Sequence, residues 1–294
     1  MGSPARYSTV ENSNVETMAG EKFDFVAHLA GHVKDSHEFH FPWGHWEIPS
    51  FLINIGITKF ILLEMIAATV AVALFVPLAC KLRGGQPAKG RLWNMMEALV
   101  VFVRDNVIVA GIGCRKDAAP YVPYLLTLFF FILFCNLLGM VPWMGTATGS
   151  ITVTATLALM TLCIVIGTGV LRHGPIGFWT GMTPPVEGKV GPISLMLVLG
   201  PFLFLLEIFS FFVKHCSLCI RLMANMFGGH MMLAVFLGFI PMAAVSLGIW
   251  MPVTAFSFFV SVAISFLELL IACLQAYIFT FLTSVYIGMA IHQH

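Results

Sequence analysis

One arginine stands inside a long hydrophobic run, where residues 220–230 read Ile220-Arg221-Leu222-Met223-Ala224-Asn225-Met226-Phe227-Gly228-Gly229-His230. Arginine stays ionised under any condition a protein meets, and placing it at bilayer depth costs about 2.5 to 3.5 kcal/mol on insertion scales. Asn225 lies one helical turn on, on the same face, and Gly228 and Gly229 remove side-chain bulk beside it. Another large body could approach such a face closely. The competing reading is an arginine near a helix end whose head snorkels to the lipid headgroups. It is disfavoured because the nearest expected helix ends lie several turns away on either side.

Other groups able to do chemistry fall into register with this arginine. Glu207, Lys214 and Arg221 recur every seven residues, and Asn225 and Gly228 continue that face. His230 comes nine residues after Arg221, which turns it to roughly the opposite side and about 13 Å further along a helix. In the next apolar run Ser257, Ser261, Ser265, Glu268, Ala272 and Gln275 form a small and polar stripe. Close helix packing accounts for a serine stripe. It does not account for Glu268, because a carboxylate at that depth must be paired, protonated or in contact with water. Asn136 lies in an earlier apolar run and Glu64 in the first. Glu64 has two readings, an acid facing an aqueous path or an acid near the start of a span that reaches water directly.

The elements that must hold these groups are membrane spans. The chain has 294 residues, of which 59% are hydrophobic and 10% charged, with mean hydropathy +0.93. This places it among polytopic membrane proteins and excludes a soluble function. A net charge of +1 gives no electrostatic case for nucleic acid. The seven cysteines mostly lie within apolar runs and behave as small hydrophobes. Cys216 and Cys219 form a Cys-x-x-Cys, but no second pair or histidine stands at ligand spacing, so packing is the expected role and no metal site is assigned. The first 20 or so residues are polar and mixed in charge, and no cleavable signal is evident in them.

Residues 1–50 are expected to be a polar segment on the outer side, and 51–294 a membrane domain. The first part carries His28, His32, His37, His40 and His45. His28 and His32 could share a helix face, and a solvated, weakly ordered segment is the preferred reading over a zinc site. It ends in an aromatic and proline-rich approach with Trp43 and Trp46, suited to the bilayer interface. Spans are expected over about 57–80, 121–143 and 151–171, with an interfacial helix or shallow re-entrant pair over 92–109, where Glu97, Arg104 and Asp105 interrupt the apolar pattern. The basic loop Lys81, Arg83, Lys89 and Arg91 has no acid and is placed on the cytoplasmic or matrix side. Arg172, His173 and Lys189 mark a second loop on that side.

The last two apolar stretches, about 193–240 and 253–292, are twice the usual length. Some 40 helical residues reach about 60 Å against a hydrocarbon core of about 30 Å. Each is therefore steeply tilted or broken into a hairpin, and the absence of turn chemistry favours two long slanted helices. The expected fold is an all-α membrane protein with about five membrane-embedded helices and an interfacial helix. By this topology His230 and Glu268 both lie outward of Arg221, and Glu207 and Lys214 inward. A histidine with a carboxylate offers exchangeable proton sites near neutral pH, and a fixed cation separates them from the inner groups.

From about residue 50 onward the chain resembles subunit a of the rotary (F-type) ATP synthases. The likeness rests on Asn136-Leu137-Leu138-Gly139-Met140-Val141-Pro142, on Arg221-Leu222-Met223-Ala224-Asn225, and on Gln275-Ala276-Tyr277-Ile278-Phe279 leading to Tyr286. The resemblance implies that Arg221 is the stator arginine, that Asn225 and Gln275 are its polar neighbours, and that His230 and Glu268 line an outer half-channel. It also implies an additional polar path among Glu64, Asn136, Lys214, Ser265 and Tyr286, with Glu207 on the inner side. Some members of the family have the His230 and Glu268 residue types exchanged. Many bacterial members carry an acid where this chain has Gly139, so that role is lost or moved, with Glu64 a candidate.

The implied partners are a ring of c subunits, peripheral-stalk b subunits and the lipid bilayer, in an energy-coupling membrane, the bacterial plasma membrane being preferred over the mitochondrial inner membrane. No cofactor is expected. No phosphate-binding glycine loop is present, so nucleotide binding and catalysis by this chain alone are not expected. The alternative is an independent ion-coupled transporter, which would require inverted repeats and interrupted helices. A haem-binding subunit would require paired intramembrane histidines, and only His215 and His230 lie in spans.

Overall fold

Apolar side chains recur in runs long enough to bury helices in lipid, and the computed structural model is accordingly a set of long helices. The structure describes residues 38–41, 44–47, 58–82, 90–141, 147–181, 189–190, 193–243 and 247–292. His28, His32, His37 and the centre of the first basic loop lie outside the described residues. A short antiparallel hairpin, β1 (Glu38–Phe41) and β2 (Gly44–Glu47), stands where the sequence favoured a weakly ordered segment. Aromatic residues at Phe39, Phe41 and Trp46 suit strand backbone better than a solvated coil.

Helix α1 is Lys59–Leu82. Helix α2 starts at Arg91–Phe102, widens into a π-helical segment at Val103–Val109, and closes with a further helical turn at Ala110–Ile112. None of the residues of Arg91–Phe102 is buried, whereas Val103, Val107, Ile108 and Ile112 enter the core. The expected interfacial helix is thus exposed along its first half and anchored by its second. Gly113, at φ 88, ends it in the left-handed region that glycine adopts without penalty. The short α3 is Arg115–Ala118.

Helix α4, Val122–Gly139, begins with Pro123, whose missing N–H falls where the first turn has no acceptor to offer. Half of it is buried inside the chain, more than any other span. It packs against α1 on one side and against the last helix on another. A 3-10 turn, Ala147–Gly149, leads into α5, Ile151–Gly181. Where the sequence placed a loop from Arg172, the helical backbone instead breaks at Gly174 (φ 77, ψ 167) before Pro175 and resumes. The resumed turns bring Phe178, 1% exposed, over Gly169. A Cβ on Gly169 would lie 2.1 Å from that ring, so only glycine admits the packing.

After the two-residue strands β3 (Lys189–Val190) and β4 (Ile193–Ser194) come α6, Leu195–Ala243, and α7, Leu247–Ile291. Helix α7 starts before Pro252, within its first turns, earlier than the sequence placed it. The two pack along one another. Phe211, His215, Leu218, Cys219, Leu222 and Met226 form the buried face of α6 at three- and four-residue steps. Among the described residues, five helices are long and apolar enough to cross a membrane.

Candidate functional site

Arg221 follows the buried Leu218 by three residues and precedes Leu222 by one, so its side chain leaves α6 beside the packed face and is exposed. No acidic group among the described residues lies within ion-pair distance of it. One turn further, Asn225 turns back toward α7, and its Nδ2 donates to Oε1 of Gln275 at 3.0 Å. Gln275 is 2% exposed, and its Nε2 is enclosed without a hydrogen-bond partner. A fixed positive charge therefore projects from the α6–α7 pair one helical turn before an amide bridge that ties the two helices together. Tyr286, two to three turns along α7 from Gln275, lies within electrostatic reach of Arg221.

Beyond the bridge, toward the C-terminal end of α6, His230 and Glu268 meet across the helix pair, with Nε2 and Oε1 3.6 Å apart. That is slightly beyond hydrogen-bond length, so rotation of either side chain makes or breaks the bond. Glu268 is buried, and neither of these two atoms has a hydrogen-bond partner. The imidazole also lies beside the Gly139 carbonyl at the end of α4. Gly229 is the reason the carboxylate fits, because a Cβ there would sit 2.7 Å from Glu268 Oε1. Its neighbour Gly228 has open space where a side chain would be. The two glycines therefore do different things: Gly229 houses the acid, and Gly228 keeps the outer surface of α6 low.

About two turns before Arg221 on α6, Lys214 Nζ and Glu207 Oε1 are 3.8 Å apart, with each side chain more than a third exposed. Three levels of polarity thus run along α6: a half-exposed ion pair, an unpaired guanidinium, and a buried histidine–carboxylate contact. They are separated by about two turns each, roughly 10 to 14 Å at 1.5 Å per residue.

The remaining residues singled out by sequence divide. Asn136 is fully buried, donates to the Ala272 carbonyl at 3.3 Å and accepts from Thr148 Oγ1 at 2.8 Å. Its amide is engaged in joining α4, the 3-10 turn and α7. Ser265 donates to the Ser261 carbonyl of its own helix at 2.9 Å, and Ser257 and Ser261 lie on the buried face. Glu64 is half-buried and makes no ion pair with the α6–α7 groups. It lines an open cleft of about 690 Å³ with Tyr124, Thr127, Thr152 and Thr156, and its Oε1 is enclosed without a partner. Cys219 donates to Thr154 Oγ1 at 3.4 Å while Cys216 is exposed, so the Cys-x-x-Cys is divided between packing and surface. Sequence reasoning passed over Thr148 and weighed His215 only as a haem ligand; its place six residues before Arg221 was the available signal for a role beside the arginine.

Comparison with known proteins identifies the family. The family model described as ATP synthase A chain matches residues 61–288. The chain is 36% identical over 284 residues to ATP synthase subunit a of Chloroherpeton thalassium, covering 92% of this chain and 77% of that one. It is 37% identical over 260 residues to the subunit a of Myxococcus xanthus, covering 84% and 79%. With the subunit a of Hyphomonas neptunium it shares 39% over 210 residues, covering 71% and 78%.

Proposed function

The chain belongs to the ATP synthase A chain family, and from that premise we propose that it is the proton-conducting stator subunit of an F-type synthase, with Arg221 as the barrier between two half-paths. The observation that carries this reading is the guanidinium itself. It is exposed midway along a spanning helix and lacks an acidic partner among the described residues, an arrangement whose cost calls for a carboxylate supplied by another protein. A ring of c subunits, each with an acid in the bilayer, fits that requirement. Peripheral-stalk b subunits complete the set of membrane partners, and the polar first 50 residues lie on the outer side.

In this mechanism a proton from the outer side reaches the His230–Glu268 pair. The 3.6 Å contact hands it on as the side chains rotate, because imidazole and carboxylate exchange protons near neutral pH. The proton neutralises a rotor carboxylate, which then moves into lipid, where its ionised form would be too costly. An arriving protonated carboxyl meets Arg221, whose charge favours the ionised form and drives the proton to the inner side. There the Glu207–Lys214 pair keeps a wet exit. Arg221 also repels any proton that would cross directly between the two levels. The Asn225–Gln275 bond fixes the helix pair beside the guanidinium. A membrane potential contributes about 2.3 kcal/mol per charge per 100 mV, so several protons per turn are needed to support ATP synthesis at the soluble head. This chain contributes conduction and holds no nucleotide.

The test is Arg221→Ala in the assembled complex. Proton-coupled ATP synthesis is expected to be abolished while the complex still assembles; robust coupled synthesis in that variant refutes the role.

A further inference from the structure

His215 is a titratable ring that the mechanism above leaves unused. It lies six residues inward of Arg221, about 9 Å along α6, and is 3% exposed. Its Nδ1 is 3.0 Å from the Phe211 carbonyl, so Nδ1–H donates there and Nε2 carries the free lone pair. Nε2 is enclosed and has no hydrogen-bond partner. The ring packs at 4.8 Å from Phe211 and 5.0 Å from Tyr286, and Tyr286 is within electrostatic reach of Arg221. The His215 ring thus packs against Tyr286 in the space between α6 and α7, on the same helix as Arg221.

A buried imidazole used only for packing would leave that lone pair unsatisfied, a cost that a phenylalanine would avoid. The charged groups around it are Lys214, Glu207 and Arg221 on its own helix. On α7 the titratable neighbour is Tyr286. The spanning parts of α4 and α5, residues 122–139 and 151–171, hold no charged residue, and their titratable groups are Tyr124, Cys135 and Cys163. Two cations thus flank the ring and one acid lies further inward.

Resting on the proposed function, we propose that His215 is the proton acceptor of the inner half-path nearest Arg221. When a rotor carboxyl ionises opposite Arg221, the released proton adds to the Nε2 lone pair. It then leaves Nε2 for water at the Glu207–Lys214 level, restoring the neutral ring with Nδ1–H on Phe211. The carboxyl has lost one proton, the inner water has gained one, and the histidine is unchanged.

The experiment measures proton flux through the assembled complex in sealed vesicles while the inner pH is varied at fixed outer pH. The unaltered complex is expected to show a titration step in flux as the inner pH is varied. His215→Phe keeps the ring packing and His215→Gln keeps a polar side chain for the Phe211 carbonyl. Both are expected to lower flux about tenfold and to remove the inner-side step, with the dependence on outer pH unchanged. No step in the unaltered complex, or a retained step in either assembled variant, overturns the proposal. Failure of both variants to assemble assigns the ring to packing and also overturns it. Arg221→Ala, run in parallel, separates the two readings: retained coupled synthesis there removes the function proposed above, whereas its loss alongside unaltered His215 variants removes only this inference.

Discussion

Glu268 keeps its carboxylate inside the helix pair because Gly229 supplies room and His230 supplies a partner. If the two side chains act as one relay, removing either stops it. Glu268→Gln and His230→Phe are each expected to lower proton flux at least tenfold, and the double variant to lose little more than either alone, since groups acting as a unit are not additive. Flux in vesicles checks this, and additive losses would mean that the pair does not act together. Gly229→Ala should have a smaller effect, severalfold in flux, because the atom its Cβ meets is the end of a side chain that can swing aside. Asn136 belongs to a different class. Its bonds to Ala272 and Thr148 join three elements, so Asn136→Ala should cost about 1–3 kcal/mol of stability, read as a lower unfolding temperature of the assembled complex. The sequence disclosed Arg221, His230 and Glu268 because charge inside an apolar run is rare and expensive. It did not disclose that Asn136 is a tie, since a buried amide looks the same whether it bonds protein or water.

Helices α2 and α7 meet at Gly111 and Gly288. A Cβ on Gly288 would lie 2.9 Å from the Gly111 carbonyl and 3.0 Å from the Ile112 Cα. Backbone cannot move aside as a side chain can, so Gly288→Ala should separate the helices and destabilise by about 1–3 kcal/mol or more. Gly169→Ala meets only the Phe178 ring, and pairing it with Phe178→Leu should recover most of the loss. Unfolding temperatures of the four variants distinguish relievable from unrelievable contacts. Near the π-helical segment, Arg104 Nε and Nη2 donate to the two oxygens of Asp105 at 2.8 and 3.0 Å. These hydrogen bonds hold the Asp105 carboxyl below its usual range. The stabilisation is complete above the unfolded value near 4 and is lost as pH falls through the lower folded value. Asp105→Asn is therefore expected to shift the unfolding temperature equally at pH 6 and pH 8; a shift confined to one of them contradicts this. The spans were legible as elements from length and hydropathy. The widened turn at 103–109 and the return of Phe178 after Gly174 were not, because both are set by tertiary packing that periodicity does not encode.

Across the molecule, burial is uneven in a way that bears on function. Half of α4 is enclosed, while about a fifth of α6 and of α7 is, although those two carry the charged and exchangeable groups. Phe256, Phe259, Phe266 and Leu270 of α7 and Phe202, Phe209 and Ile220 of α6 are exposed. Such faces suit lipid and the apolar flank of a neighbouring helix, and Arg221 emerges among them. Asp117 receives Arg172 at 2.8 Å and lies 3.9 Å from His292, gathering α3, α5 just before its break at Gly174, and the end of α7. These groups are partly exposed, so Asp117→Asn should change stability by no more than about 1 kcal/mol, within a few degrees of unfolding temperature. The central claim is that Arg221 faces an acid that the chain itself does not contain. A density map of the assembled membrane sector tests it most directly. The account predicts a rotor carboxylate within about 4 Å of the Arg221 guanidinium, the reach of an ion pair, in at least one rotational state. A guanidinium turned to bulk solvent or headgroups, with no rotor helix beside it in any state, would contradict it.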